Sequence, residues 1–341
     1  MPRHLVLSVL LLATAAPSAS QTLDERLNQV GNVYAAAYLK PLVDGVGADF
    51  NSGLFLASRL GDARDGFNVH LGVQVMAMPI RGDAKTFSLS YRGEATIEVD
   101  AGPRTVQLRL PASFTAQDVP TVFGDTNVGS VIVHVQQDTS IAYLGVLIPL
   151  AIDTSFVVES IGGITNALSF VPAAAVNAAV GTVFGTSLLL RWVPAIELED
   201  FGRTSLFGFG VRHNLSRFLP LLPVQVAVQG AWQRGRVLNA DGDEVMRATT
   251  FAANLEISKR FGPLTLFGGL QTEEGRIRID YRGRDAEVEE RDLFPIDLVL
   301  RADNTTRGVV GCVLTLGPVN LYGDVGVGNR TTLSGGLGLT L

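Results

Sequence analysis

The chain has 341 residues, of which 27 are basic and 33 acidic, for a net charge of −6 with no concentrated basic tract, and this speaks against nucleic acid as a partner. Hydrophobic residues make up 47% and mean hydropathy is +0.28, yet no charge-free run reads as a convincing membrane helix. A chain this apolar can hide in lipid only as a closed β-barrel, in which every backbone group pairs between strands.

The chain starts with a short basic head, Met1 to His4, followed by the apolar run Leu5 to Ala16, too brief to span a bilayer. That pattern predicts a secretory signal over residues 1–20, with the mature chain starting near Gln21. No cysteine follows the apolar run, so a lipid anchor is not expected. The single cysteine, Cys312, makes no internal disulfide although export would permit one.

From Leu23 the apolar residues Leu23, Leu27, Val30, Tyr34 and Tyr38 fall three and four apart, one face of a helix. Pro41 and the loop Asp44-Gly45-Val46-Gly47 are expected to end it. Two readings stay open: a helix packed on a soluble core, or a plug inside or beneath the lumen of a barrel.

Beyond Phe50 the period changes to two. Odd positions are apolar in Phe67 to Val75, and the pattern recurs in Val224 to Gln233, Phe251 to Ser258 and Val319 to Val327. Each run is about ten residues, the length a tilted strand needs to cross the hydrocarbon layer. Short links such as Phe261-Gly262-Pro263 and Gly317-Pro318 predict tight turns at one rim. Longer polar links, Asn239 to Glu244 and Arg282 to Asp292, predict loops at the other. The last strand, Leu333 to Leu341, carries leucines on its odd side and ends without the aromatic residue usual in barrel proteins. At roughly 20 residues per strand and connection, the chain from Phe50 onward accommodates about 14 strands, within a range of 12–16.

Between Glu159 and Arg191 no residue is charged, and Pro172, Gly162, Gly163, Asn166 and Asn177 argue against a spanning helix. The expectation is an apolar helical loop over about 160–184, at the mouth or folded into the lumen, suited to a greasy solute.

No His pair has metal-ligand spacing and no Cys pair exists, so neither a metal site nor a cofactor is expected. The run His213-Asn214-Leu215-Ser216 holds hydrolase residue types, but neighbours on a strand point apart, and no catalytic residues and no enzyme activity are assigned. If the apolar side faces lipid, Arg191, Arg212, Gln225, Gln229, Gln233, Asn254 and Glu256 line the lumen. A buried Arg near Glu256 would stiffen the wall as an ion pair.

The segments Val183 to Pro194, Leu206 to Pro220 and Gly262 to Leu270 resemble an uncharacterised family of outer-membrane proteins common in the Bacteroidetes and their relatives. That family is similar in design to the long-chain fatty-acid transport porins. The resemblance covers about half of the chain and implies a barrel with an N-terminal plug and, by a further step, passage of hydrophobic molecules. It carries over no catalytic or binding residues.

The sequence thus predicts an all-β, transmembrane antiparallel barrel: signal 1–20, plug 21–49, and barrel 50–341 with the apolar insertion. It would be a monomer in the outer-membrane bilayer, placed there by the insertion machinery, passing or binding fatty-acid-like or other apolar molecules. Alternatives are a barrel with a structural or surface-interaction role and no transport, and a soluble exported β-protein.

Overall fold

The structure is a computed structural model that describes residues 21–55, 67–100, 105–127, 129–143, 146–160, 162–163, 168–182, 184–198, 202–218, 222–239, 242–281 and 296–341. The signal read over residues 1–20 lies outside them. One helix, α1 (Gln21–Phe50), precedes fifteen described strands. These are β1 (Asn68–Pro79), β2 (Thr86–Asp100), β3 (Thr105–Pro120), β4 (Ser130–Tyr143), β5 (Val146–Glu159), β6 (Phe170–Gly181), β7 (Thr186–Leu198) and β8 (Gly202–Asn214). They continue as β9 (Gln225–Leu238), β10 (Glu244–Phe261), β11 (Leu264–Tyr281), β12 (Ile296–Arg301), β13 (Thr306–Leu316), β14 (Val319–Val327) and β15 (Thr332–Thr340).

Two compact units divide the chain: residues 1–41, 81–168 and 280–298 form one, and residues 42–80, 169–279 and 299–341 the other. In the second unit the order β1-β6-β7-β8-β9-β10-β11-β13-β14-β15 returns to β1, closing an antiparallel barrel of ten strands, with β12 added beside β11. Closure is sealed by β1 pairing with β15 from His70 against Thr340 to Ala77 against Leu333. On its other side β1 pairs with β6 from Asn68 against Gly181 to Pro79 against Phe170. No barrel strand among these ten is left with an unpaired edge, which is what the hydrocarbon layer demands.

The alternation read from the sequence sets the two faces. On β1, Val73 is 51% exposed and the adjacent Gln74 0%. The outward belt continues through Leu188, Leu190 and Trp192, Phe207, Phe209 and Val211, Phe251, Leu255 and Ile257, and Leu333, Leu337 and Leu339. Its inward counterpart includes His70, Asn177, Arg191, Gln233, Gln271, Arg307 and Asn320, all buried. An apolar exterior around a polar interior inverts the arrangement of a water-soluble protein and is that of an outer-membrane barrel. Cys312 sits on the exposed outer face.

The glycine-rich final strand has a packing reason. A Cβ at Gly338 would lie 2.5 Å from Cε1 of His70, and one at Gly336 would lie 2.7 Å from the Tyr322 ring. Two bulky inward side chains thus occupy the seam where the last strand meets the first.

The antiparallel order also sorts the connections by rim. β6 and β7, β8 and β9, β10 and β11, and β13 and β14 are joined at the rim where β1 begins and β15 ends, whereas β1 and β6, β7 and β8, β9 and β10, β11 and β13, and β14 and β15 are joined at the opposite rim.

In the first unit, β2-β3-β4-β5 form a separate four-stranded antiparallel sheet. Phe114, Ala116, Val119 and Val131 are its buried cluster, with Tyr34 of α1, Phe87, Leu89 and Tyr91 packed against it. Tyr34 meets Phe87 edge-on at 5.2 Å, and the Tyr38 hydroxyl donates to the Gly162 carbonyl at 3.0 Å.

Three expectations are corrected here. The expected 14-strand barrel is a ten-strand one: strands β2 to β5 have the same period of two but pair among themselves, since period fixes faces and not partners. The apolar stretch expected as a helical loop over about 160–184 contains β6, a wall strand between β1 and β7. It is uncharged because one face meets lipid, and small because the other meets the helix, where a Cβ on Gly45 would lie 2.6 Å from Val171. The helix does not stop at Pro41 but runs through it to Phe50. Burial of Val43, Val46 and Ala48 outweighs the lost backbone donor.

Candidate functional site

The barrel is filled by its own chain. From Val43 to Phe55 every residue but the half-buried Phe50 is buried, including the polar Asp44, Asp49, Asn51 and Ser52. A helix leaves its last four carbonyls without intrahelical donors and carries its negative dipole end there. Inside a closed lumen those groups need donors from the wall.

The wall supplies them. The Arg191 guanidinium on β7 donates to the carbonyls of Phe50 at 3.0 Å, Ser52 at 3.1 Å and Gly53 at 3.1 Å. From β9, the Gln233 amide donates to the Phe50 carbonyl and that of Gln229 to Leu54 at 2.8 Å. Gln271 on β11 donates to Asn51 at 2.7 Å, and Arg307 on β13 to Ala48 at 2.8 Å. The turn that aims these carbonyls depends on Gly53, at φ +62°, where a Cβ would collide with the Gln74 amide.

A second layer holds the donors in place. Arg191 Nε donates to Asn177 at 2.9 Å, the Asn177 amide to Gln74 Oε1 at 2.8 Å, and the Gln74 amide to Ser334 at 3.0 Å. Ser334 in turn donates to Asp324, so the network crosses five adjacent strands, β7, β6, β1, β15 and β14. Opposite it, Arg307 donates to Glu273 at 2.6 Å and to Thr332 at 2.6 Å. At the rim of long connections, Asp44 accepts from the Asp303 backbone at 3.0 Å and from Arg330 at 2.9 Å. Toward the other rim, Phe55 packs in a cluster with Phe267, Val309, Val313 and Tyr322.

Of the residues expected to line the lumen, Arg191, Arg212, Gln229, Gln233, Asn254 and Glu256 are buried on the inner face, and Gln225 is half-buried at the start of β9, accepting from Asn214 at 3.3 Å. Only Arg191, Gln229 and Gln233 among them touch the plug through the hydrogen bonds described above. The expected plug residues are placed otherwise. Leu23, Leu27 and Val30 lie on the helical backbone with side chains outside the described set, and Tyr34 and Tyr38 pack in the first unit. The lumen is filled instead by the segment Leu42 to Phe55. Sequence reading also missed Gln74, Asn177, Gln271, Glu273 and Arg307. Gln74 and Gln271 stand at inward positions of alternating strands and were legible as such, whereas nothing local marks Asp44 as a wall contact.

The run around His213 closes a turn: His213 Nδ1 lies 2.9 Å from Thr186 Oγ1, and Asn214 Oδ1 accepts from the Ser216 backbone at 2.9 Å. Among the described residues no three His, Cys, Asp or Glu side chains come together as a metal site would require.

Comparison with solved structures returns bacterial membrane barrels. The translocator domain of autotransporter NalP from Neisseria meningitidis is 12% identical, covering 89% of this chain and 99% of that one at a TM-score of 0.29. The toluene transporter TodX of Pseudomonas putida is 9% identical, with 89% and 97% covered and a TM-score of 0.23. A mutant Rh. blastica porin is 14% identical, with 81% and 99% covered and a TM-score of 0.21. No curated protein matches the chain in sequence. One family model matches residues 1–341 throughout, and the chain belongs to that family, the family of unknown function DUF6588.

Proposed function

We propose that this is a self-plugged outer-membrane barrel that carries no open pore and acts through the chain it presents at the membrane surface. One observation carries the reading: seven wall-to-plug hydrogen bonds hold six backbone carbonyls between Ala48 and Leu54, all in that span but that of Asp49. A charged donor contributes about 1.5–3 kcal/mol and a neutral one about 0.5–1.5. Opening the lumen thus costs on the order of 5 kcal/mol or more, and the unplugged state is rare. Export by a signal over residues 1–20, insertion by the outer-membrane machinery, a monomeric state and the absence of any enzyme activity belong to the same proposal. Ion conductance of the purified protein in a planar bilayer tests it. A closed or briefly flickering barrel is expected, and a large steady conductance would refute it.

A second reading, binding or passage of apolar small molecules, is favoured by one feature. A small cavity of about 20 Å³ lies at the tip of the plug, lined by Leu54, Leu189, Ala231, Gly208 and Gly210 among others. That falls short of the ~300–1,000 Å³ that enclose a drug-sized ligand, so a fatty chain fits only if Leu54 moves. Saturable binding of a radiolabelled fatty acid to the detergent-purified barrel, lost in Leu54→Asp, is the expected result. Binding no greater than partition into protein-free micelles would dismiss this reading.

A further inference from the structure

We infer that the chain threads its barrel from the outer face inward, so that the mature chain preceding Leu42 is delivered to the cell surface. The inference rests on the membrane-barrel reading above and on the polarity of the plug. Asp44 is held by Asp303 and Arg330, in the links that precede β13 and β15. Leu54 is held by Gln229, near the start of β9, and Phe55 packs on Phe267, near the start of β11. The starts of β13 and β15 lie at the rim opposite the starts of β9, β11 and β1. The plug therefore descends from the rim of the long connections to the rim where β1 begins, antiparallel to β1.

Membrane barrels keep short turns on the periplasmic side and long connections outside. The two longest links in sequence, 80–169 and 282–305, join strands that end and begin at the rim of Asp44, and the two-residue turns 262–263 and 317–318 join strands at the other. The chain leaves the second unit after Ile80, beyond the end of β1, and after Ile279, near the end of β11, and both of these strands end at that rim. Because the plug is one continuous backbone with β1, the barrel must close around it, or the leading segment must pass through the lumen before the plug seats.

The test is cysteine accessibility in whole cells, with a membrane-impermeant maleimide on the full chain carrying Cys312→Ser. Single cysteines are placed by Thr22→Cys in α1, Asp243→Cys in a link of the long-connection rim, and Pro263→Cys in a turn of the other. A boiling-dependent gel shift verifies that each variant holds a closed barrel. Thr22→Cys and Asp243→Cys should label in intact cells to the level reached after outer-membrane rupture, and Pro263→Cys only after rupture. Labelling of Asp243→Cys without Thr22→Cys in intact cells would overturn the threading direction. Labelling of Pro263→Cys in intact cells would overturn the assignment of the rims. Neither result depends on conductance, so this inference and the occluded-pore reading fail separately.

Discussion

Arg191 and Gly53 stand 138 residues apart in sequence, and the guanidinium of the first donates to the carbonyl of the second at 3.1 Å. Gly53 turns the chain at the end of α1 with a positive φ, and the carbonyls on either side of that turn converge on one cation. A planar fork of donors suits this better than a point charge. Arg191→Ala should leave several buried carbonyls unpaired at about 1–3 kcal/mol each and raise the open probability in a planar bilayer by orders of magnitude. Arg191→Lys should restore closure only in part. A variant as silent as the parent would show that the plug does not depend on this residue.

The Arg307–Glu273 pair closes inside the lumen at 2.6 Å, with both side chains 1% exposed. Glu273→Ala strands a buried cation and should destabilise the folded barrel by about 3–5 kcal/mol in urea titrations. The double variant Arg307→Met with Glu273→Leu should cost less than the two single changes together, which a double-mutant cycle measures.

On the lipid side, Val73 sits midway along β1, between Leu337 of β15 and Val176 of β6. Val73→Arg should destabilise insertion into liposomes by about 2–4 kcal/mol, and Val73→Leu should be close to neutral. Equal behaviour of the two would mean that this face does not meet hydrocarbon.

In the first unit, burial and then the neighbouring Tyr34 hold the Tyr38 phenol well above its ordinary value of 10.0. A raised pKa on an acid that is neutral in the fold gives stability that is complete below the unfolded value and is lost as pH rises toward the folded one. Alkaline spectrophotometric titration should therefore show one tyrosine ionising late, and Tyr38→Phe should remove it. A full complement of tyrosines titrating near 10 would contradict the burial of this hydroxyl.

The alternation of β1, β9, β10 and β14 is readable in the sequence, because a strand has only two faces and lipid selects one of them. Arg191, Gln229 and Gln233 were placed inward on that ground alone. Five strands hid their nature: β6 is so poor in charge and so rich in alanine that its local signal suits a helical loop equally well, and β2 to β5 look like wall strands. Pro41 misled for the opposite reason, since a local helix breaker was outweighed by packing around Val43 and Val46.

The sequence by itself therefore determined the class of the molecule, the faces of its strands and the sign of its interior, all of which follow from periods of two and from hydropathy. Only the tertiary structure decided how many strands close, which part of the N-terminal segment fills the lumen, and from which rim it enters. Those outcomes rest on contacts between residues more than a hundred positions apart, such as Asp44 with Arg330 and Gly53 with Arg191. A short-range pattern carries no information about a partner so distant, because hydrogen-bond closure is a condition on the whole sheet and not on any one strand.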